Sequence, residues 1–181
     1  MKRFLFCAML MLLISTTLSA QEHANSFRRV EINWNALSFA RMEGSNLWGG
    51  QFGLGINITP AVAIVGEFDA HRNNDFGTLD LFTYRVGPRF SSRPGNRVRM
   101  FGQVLVGGAQ ARESVVISGL TSSVSVNGFS MAAGGGLDVG INRWFAIRAG
   151  QLDYNYTRFQ GFSWDGVRVG GGVVFRMVPK S

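Results

Sequence analysis

Apolar and polar residues alternate with a period of two along most of this 181-residue chain. That period belongs to extended strands, whose successive side chains point to opposite faces. Phe52, Leu54, Ile56 and Ile58 alternate with Gln51, Gly53, Gly55 and Asn57 over residues 51–58. In 61–71, Val62, Ile64 and Phe68 share one parity, while Glu67, Asp69 and His71 share the other. Segment 79–90 sets Phe82, Tyr84, Val86 and Phe90 against Thr83, Arg85, Gly87 and Arg89. Segment 129–141 sets Phe129, Met131, Leu137 and Val139 against Ser130, Gly134, Gly136 and Asp138. In 165–177, Val167, Val169, Val173 and Phe175 oppose Arg168, Gly170 and Gly172. Three further segments, 28–40, 97–112 and 144–156, alternate less cleanly. The first carries Glu31 on its polar parity and loses register toward Leu37. The last puts Arg148 and Asp153 on opposite parities, which predicts a bulge near Gly150-Gln151. Eight strands result, each longer than the roughly 5 or 6 residues of an ordinary soluble strand.

The first twenty residues stand outside this pattern. Met1-Lys2-Arg3, the apolar run 4–14 and a small-residue stretch ending in Ala20 follow the order of a secretory signal peptide. The apolar run is too short to cross a bilayer as a helix. Cleavage is expected after Ala20 or Ser19. Removing residues 1–20 takes away Cys7, Lys2 and Arg3 and leaves 16 basic against 11 acidic residues, a net charge of +5. The single remaining domain, 21–181, has no cysteine, so an exported chain like this relies on its strand ladders or on a membrane.

The links carry a second pattern. Those around Thr59-Pro60, Arg93-Pro94-Gly95-Asn96 and Asn142-Arg143 read as tight turns. The others, 41–46, 72–78, 113–127 and 157–163, read as longer loops. Short and long alternate, as they do when an up-and-down barrel has one rim of turns and one of loops. A Greek-key sandwich is not expected to produce that order.

Alternation alone leaves open which face is wet. A soluble ligand-binding barrel would bury the apolar face, and a membrane barrel would show it to lipid. Composition favours lipid: 16% of residues are charged, against about 25% in soluble domains. Much of the polar face is Gly or Ala, which suits the crowded interior of a narrow barrel. Aromatic residues also gather at both strand ends. Trp48, Tyr154, Tyr156, Phe162 and Trp164 lie toward the long links; Phe27, Phe90, Trp144, Phe145 and Phe175 lie toward the turns. Two such girdles fit the two interfaces of a membrane.

With these features the chain resembles the small eight-stranded outer-membrane β-barrels of the OmpA/OmpX type over residues 26–178. The resemblance implies an all-β, antiparallel, up-and-down transmembrane barrel in a bacterial outer membrane, with short periplasmic turns and longer external loops. Val167, Val169, Val173 and Phe175, on one face of the last segment, resemble the C-terminal signal read by the barrel-insertion machinery. Outer-membrane lipid and that machinery are the partners implied.

On the face read as inner lie Glu31, Glu67, Asp69, His71, Asp138 and Asp153 beside Arg85, Arg89, Arg148 and Arg168. An enclosed charge must pair, because alone it costs several kcal/mol or is neutralised. Arginine suits such a site, since its planar fork bridges two carboxylates. The set predicts a salt-bridge network that plugs the lumen, with a narrow channel as the competing reading.

No catalytic, cofactor or metal set emerges. Outer-membrane lipid A deacylases resemble this size and fold and use a Ser–His pair, yet their His-x-Ser pattern is absent, since Arg72-Asn73 follow His71. Gly134-Gly135-Gly136 and Gly170-Gly171-Gly172 fit no phosphate-binding loop. Asp75 stands alone as a calcium ligand, and the scattered arginines are a poor fit to nucleic acid. The link 113–127 is the functional lead. Val115, Val116 and Ile117 on one arm and Val124 and Val126 on the other favour strand. A protruding hairpin is expected there, with an edge able to accept a strand from a surface ligand. The reading is a non-enzymatic surface barrel, with a lipid-modifying enzyme as the alternative.

Overall fold

The computed structural model describes residues 30–42, 45–73, 78–92, 97–117 and 120–177. The segment 1–20 read as a signal peptide, Phe27, Asp75 and the link 93–96 read as a tight turn lie outside the described residues, as do the side chains of Val115, Val116 and Ile117. Eight strands run in order: β1 (Val30–Met42), β2 (Ser45–Asn57), β3 (Val62–Asn73), β4 (Thr78–Ser91), β5 (Val98–Ile117), β6 (Leu120–Gly140), β7 (Phe145–Arg158) and β8 (Ser163–Met177). Each pairs antiparallel with the next, and β1 pairs with β8 to close the barrel.

The two faces are inverted relative to a protein folded in water. Phe52, Leu54, Ile56, Phe68, Tyr84, Val86, Val104, Val169 and Phe175 point outward and are exposed. Asn33, Gln51, Asp69, Arg89, Arg148 and Arg168 point inward and are buried. Exposed apolar area this continuous is unfavourable against water. The reversed arrangement, a soluble barrel with its apolar face inside, is therefore excluded.

Two bulges set which residues face in. On β1 the register slips around Ala36 and Leu37 against both β2 and β8. One extra residue flips the parity downstream, so Ser38, Ala40 and Met42 join the inner face. On β7 the slip falls between Arg148 and Gln151, at the place the parity conflict predicts. Arg148 and Asp153 both face inward as a result.

The strands are longer than the alternation indicates. β2 begins at Ser45 and pairs as Met42↔Ser45 and Arg41↔Asn46, so the link expected at 41–46 is mostly strand. Gly49 and Gly50 carry no side chain to show parity, which hides that half of β2 from the sequence. β5 and β6 pair rung by rung from Val98↔Val139 to Ile117↔Leu120. β4 reaches only Thr78↔Ser114 on β5, and β7 only Arg158↔Phe129 on β6. The tip of β5–β6 is therefore a two-stranded ribbon standing beyond the rim.

At this hairpin end the inner face turns apolar. Ala40, Met42, Leu47, Leu81, Ala109, Ala111 and Phe159 form a cap over the polar interior. Trp164, expected in the outer girdle, packs against the cap, its ring centroid 5.3 Å from that of Phe159. The cause is parity: Trp164 is even-numbered like the inward Arg168, no bulge interrupts β8 between them, and it stands opposite the buried Thr157. The link expected as a longer loop at 157–163 is a tight reversal over 159–162, with Gly161 at a φ of 96°.

Candidate functional site

Arg168 on β8 is the centre of the interior. It donates to Asp153 at 2.5 Å and to Glu67 at 3.1 Å, and it also pairs with Asp69. Arg85 takes the other oxygen of Asp69 and donates to Asn155 at 2.5 Å, while the Thr83 hydroxyl donates to Asp69 at 2.6 Å. Arg89 donates to Glu67 at 3.2 Å and to Gln103 at 2.9 Å; Gln103 donates to Glu67 at 2.9 Å. Each carboxylate in this group is shared by at least two donors, as burial of a charge demands.

A second group lies toward the turn end. Arg148 donates to Asp138 at 2.9 Å, and Arg176 lies 3.5 Å from Asp138 and 3.6 Å from Glu31. Arg99 pairs with Glu31. Gln151 joins the two groups, accepting from Arg148 at 2.8 Å and donating to Asp153 at 2.7 Å. The Phe101 ring lies between Arg89 and Arg148, whose guanidiniums sit 4.6 and 4.4 Å from its centroid. A cation over an aromatic face is favourable, more so when desolvated.

The structure brings Glu31, Glu67, Asp69, Arg85, Arg89, Asp138, Arg148, Asp153 and Arg168 together in ion pairs. His71 differs. Its Nε2 is hydrogen-bonded to the Ser38 hydroxyl at 2.8 Å rather than held by a carboxylate. Arg99 and Arg176 belong to the network although the sequence reading left them out. Their signal was their place on the polar parity, beside Met100 and Phe175. Ser38 gave no usable signal, because the β1 bulge decides its face.

Ser38 and His71 form the nucleophile-and-base pair that the lipid-hydrolysing alternative requires. Ser38 is 2% and His71 5% exposed, and Leu81, the register partner of His71, is buried with Met42 in the apolar cap. A void of about 10 Å³ lined by His71 has room for about one water. Among the described residues no group of His, Cys, Asp and Glu is placed to hold a metal.

Of the hairpin residues, Val124 is 62% exposed and Val126 packs against the cap. The backbones of Val115, Val116 and Ile117 pair with Ser122, Thr121 and Leu120. Val167, Val169 and Phe175 stand exposed on the outer face of β8, and Val173 shares that face, opposite Trp34 and Ile147.

The profile of one protein family, described as outer membrane protein beta-barrel domain, matches residues 5–175. Solved structures with the same fold include neisserial surface protein A, at 14% identity and a TM-score of 0.56, covering 82% of this chain and 96% of that one. Ail of Yersinia pestis, in complex with the heparin analogue sucrose octasulfate, is similar at 19% identity and a TM-score of 0.54, covering 81% and 96%. The N-terminal barrel of Pseudomonas aeruginosa OprF is similar at 18% identity and a TM-score of 0.51, covering 84% and 98%. No curated protein sequence matches significantly.

Proposed function

The chain belongs to the outer membrane protein β-barrel family, and from that premise we propose a non-enzymatic surface barrel: its lumen is plugged by the Arg168 network, and its β5–β6 hairpin faces outward and binds a partner strand. Export uses the signal peptide at residues 1–20, and insertion uses the outer face of β8. One observation carries the reading. Leu120 to Gly128 of β6 pair with β5 on one side, whereas β7 reaches no further than Phe129. An unpaired edge is a template for another strand, with backbone hydrogen bonds supplying affinity and side chains such as Val124 supplying selectivity. The ribbon is built on a closed barrel, so it is held at a fixed height and angle to the membrane.

Deleting residues 115–126 tests this. Insertion, read as heat-dependent gel mobility, should persist, because no barrel rung with β7 is lost. Attachment of expressing cells to host cells or matrix should disappear. Unchanged attachment contradicts the surface-binding role.

A further inference from the structure

We infer that the outward face of β2–β5 is a seat for a phosphorylated, acylated glycolipid of the outer leaflet (lipid A). The seat rests on the orientation proposed above, with the hairpin end outward.

Gly66 leaves a notch in the apolar outer face. Its neighbours in register are Leu54 on β2 and Val86 on β4. One rung nearer the hairpin end, Phe52, Phe68 and Tyr84 form a ridge across three strands. Together with Val106 these residues line a shallow groove of about 470 Å³. The ring of Tyr84 leans over Gly108 on β5, away from the notch, and so keeps it open. A Cβ at Gly66 would meet no atom nearer than 4.0 Å, so the notch is not filled by the barrel itself. An acyl chain fits such a furrow better than a flat wall, since it gains contact on three sides.

The charge lies above the groove on the same strands. Arg72 stands six residues from Gly66 along β3, about 20 Å at 3.3 Å per residue. Half of a bilayer's hydrocarbon core is about 15 Å, so Arg72 reaches headgroup level when the notch lies near the midplane. Arg72 donates to Asp80 at 2.6 and 3.1 Å through Nε and Nη2, which leaves Nη1 for another acceptor. Arg112 on β5 stands opposite Asp80 in register and makes no ion pair among the described residues. Two guanidiniums thus flank one carboxylate, with only Arg72 paired to it, an excess of one positive charge at the height where lipid phosphates lie. Guanidinium forks bind phosphate in two-point fashion. Gln110, one rung below Arg112 on the same face, adds an amide for sugar hydroxyls or acyl-linked amides. Apolar furrow, paired arginines and amide together match a phosphorylated glycolipid better than a glycerophospholipid, which carries no sugar ring on its acyl chains.

The test uses the full refolded protein in detergent with purified lipid A as the probe, read by native mass spectrometry as lipid retained per barrel. Wild type should keep lipid A, and dephosphorylated lipid A should bind more weakly. Arg72→Ala with Arg112→Ala should weaken binding about thirtyfold, from about 1 kcal/mol per arginine. Gly66→Leu, whose Cβ would meet no atom nearer than 4.0 Å and whose side chain would occupy the notch, should weaken it severalfold, and Arg158→Ala should leave it unchanged. Heat-dependent gel mobility verifies that each variant is a folded barrel; Arg72→Gln with Arg112→Gln replaces any that is not. Binding at the wild-type level in both the arginine and Gly66→Leu variants, or equal competition by phosphatidylglycerol, overturns the proposal. Detergent binding does not depend on orientation. A hairpin found inaccessible to protease on intact cells would count against the proposed orientation instead.

Discussion

Arg168 and Glu67 are separated by 101 residues of sequence and by 3.1 Å across the barrel. The contact exists only because β1 closes onto β8, bringing the last strand within reach of the third. Arg168 is also the shared partner of Asp69 and Asp153, so one guanidinium touches three buried carboxylates on two other strands.

Replacing it should therefore cost more than one ion pair on a surface. Arg168→Met is expected to lower unfolding stability by about 3–5 kcal/mol, the range for removing one partner of a buried pair. Urea titration of the refolded barrel in lipid vesicles measures it. Arg41→Met is the comparison, since Arg41 is exposed and makes no ion pair among the described residues. Equal stability of the two variants would contradict the central place given to Arg168.

Glycine has different meanings on the two faces. A Cβ at Gly136 would lie 2.8 Å from the Phe101 ring and would also strike the Gly150 carbonyl, whereas one at Gly66 would meet nothing closer than 4.0 Å. Gly136→Val should abolish the heat-dependent mobility shift of the folded barrel, and Gly66→Leu should retain it. A folded Gly136→Val barrel would show that the Arg89–Phe101–Arg148 stack can yield, against the packing described.

The Ser38–His71 hydrogen bond gives a third prediction. At 2.8 Å the pair has the spacing of a nucleophile and its base, yet both residues are buried. Expression of the protein should leave the mass of lipid A and phospholipid extracted from the cells unchanged. Ser38→Ala should lower stability by about 1–3 kcal/mol, the cost of stranding a buried hydrogen-bonding partner. Loss of an acyl chain from the extracted lipid, abolished by Ser38→Ala, would establish the enzymatic reading instead.

The faces of the strands were legible because alternation reports parity wherever side chains differ. Alternation alone sets Glu67, Asp69, Arg85, Arg89 and Arg168 on the polar parity of their strands, and the low charge and the two aromatic girdles turn that parity inward. Legibility failed where glycine removes the signal, as at Gly49 and Gly50, and where a bulge flips it, as at Ala36 and Leu37. It failed also for partnership. Which arginine meets which acid depends on the stagger of the closed barrel, a property of all eight strands together. Arg176 faces Glu31 directly across the β1–β8 seam and Arg99 reaches it from β5, so both contacts exist only once the barrel closes. The inward turn of Trp164 is encoded in its own segment, since it shares the even parity of Arg168, and its place at the strand end near other aromatic residues masks that signal.

The central claim, that the inward charges close the lumen, is tested most directly by conductance of the purified full-length protein in a planar bilayer. With Arg168, Glu67, Asp69 and Asp153 joined across the interior and the Phe159 cap above them, no steady channel is expected. A steady, nanosiemens-scale current from inserted protein would contradict it.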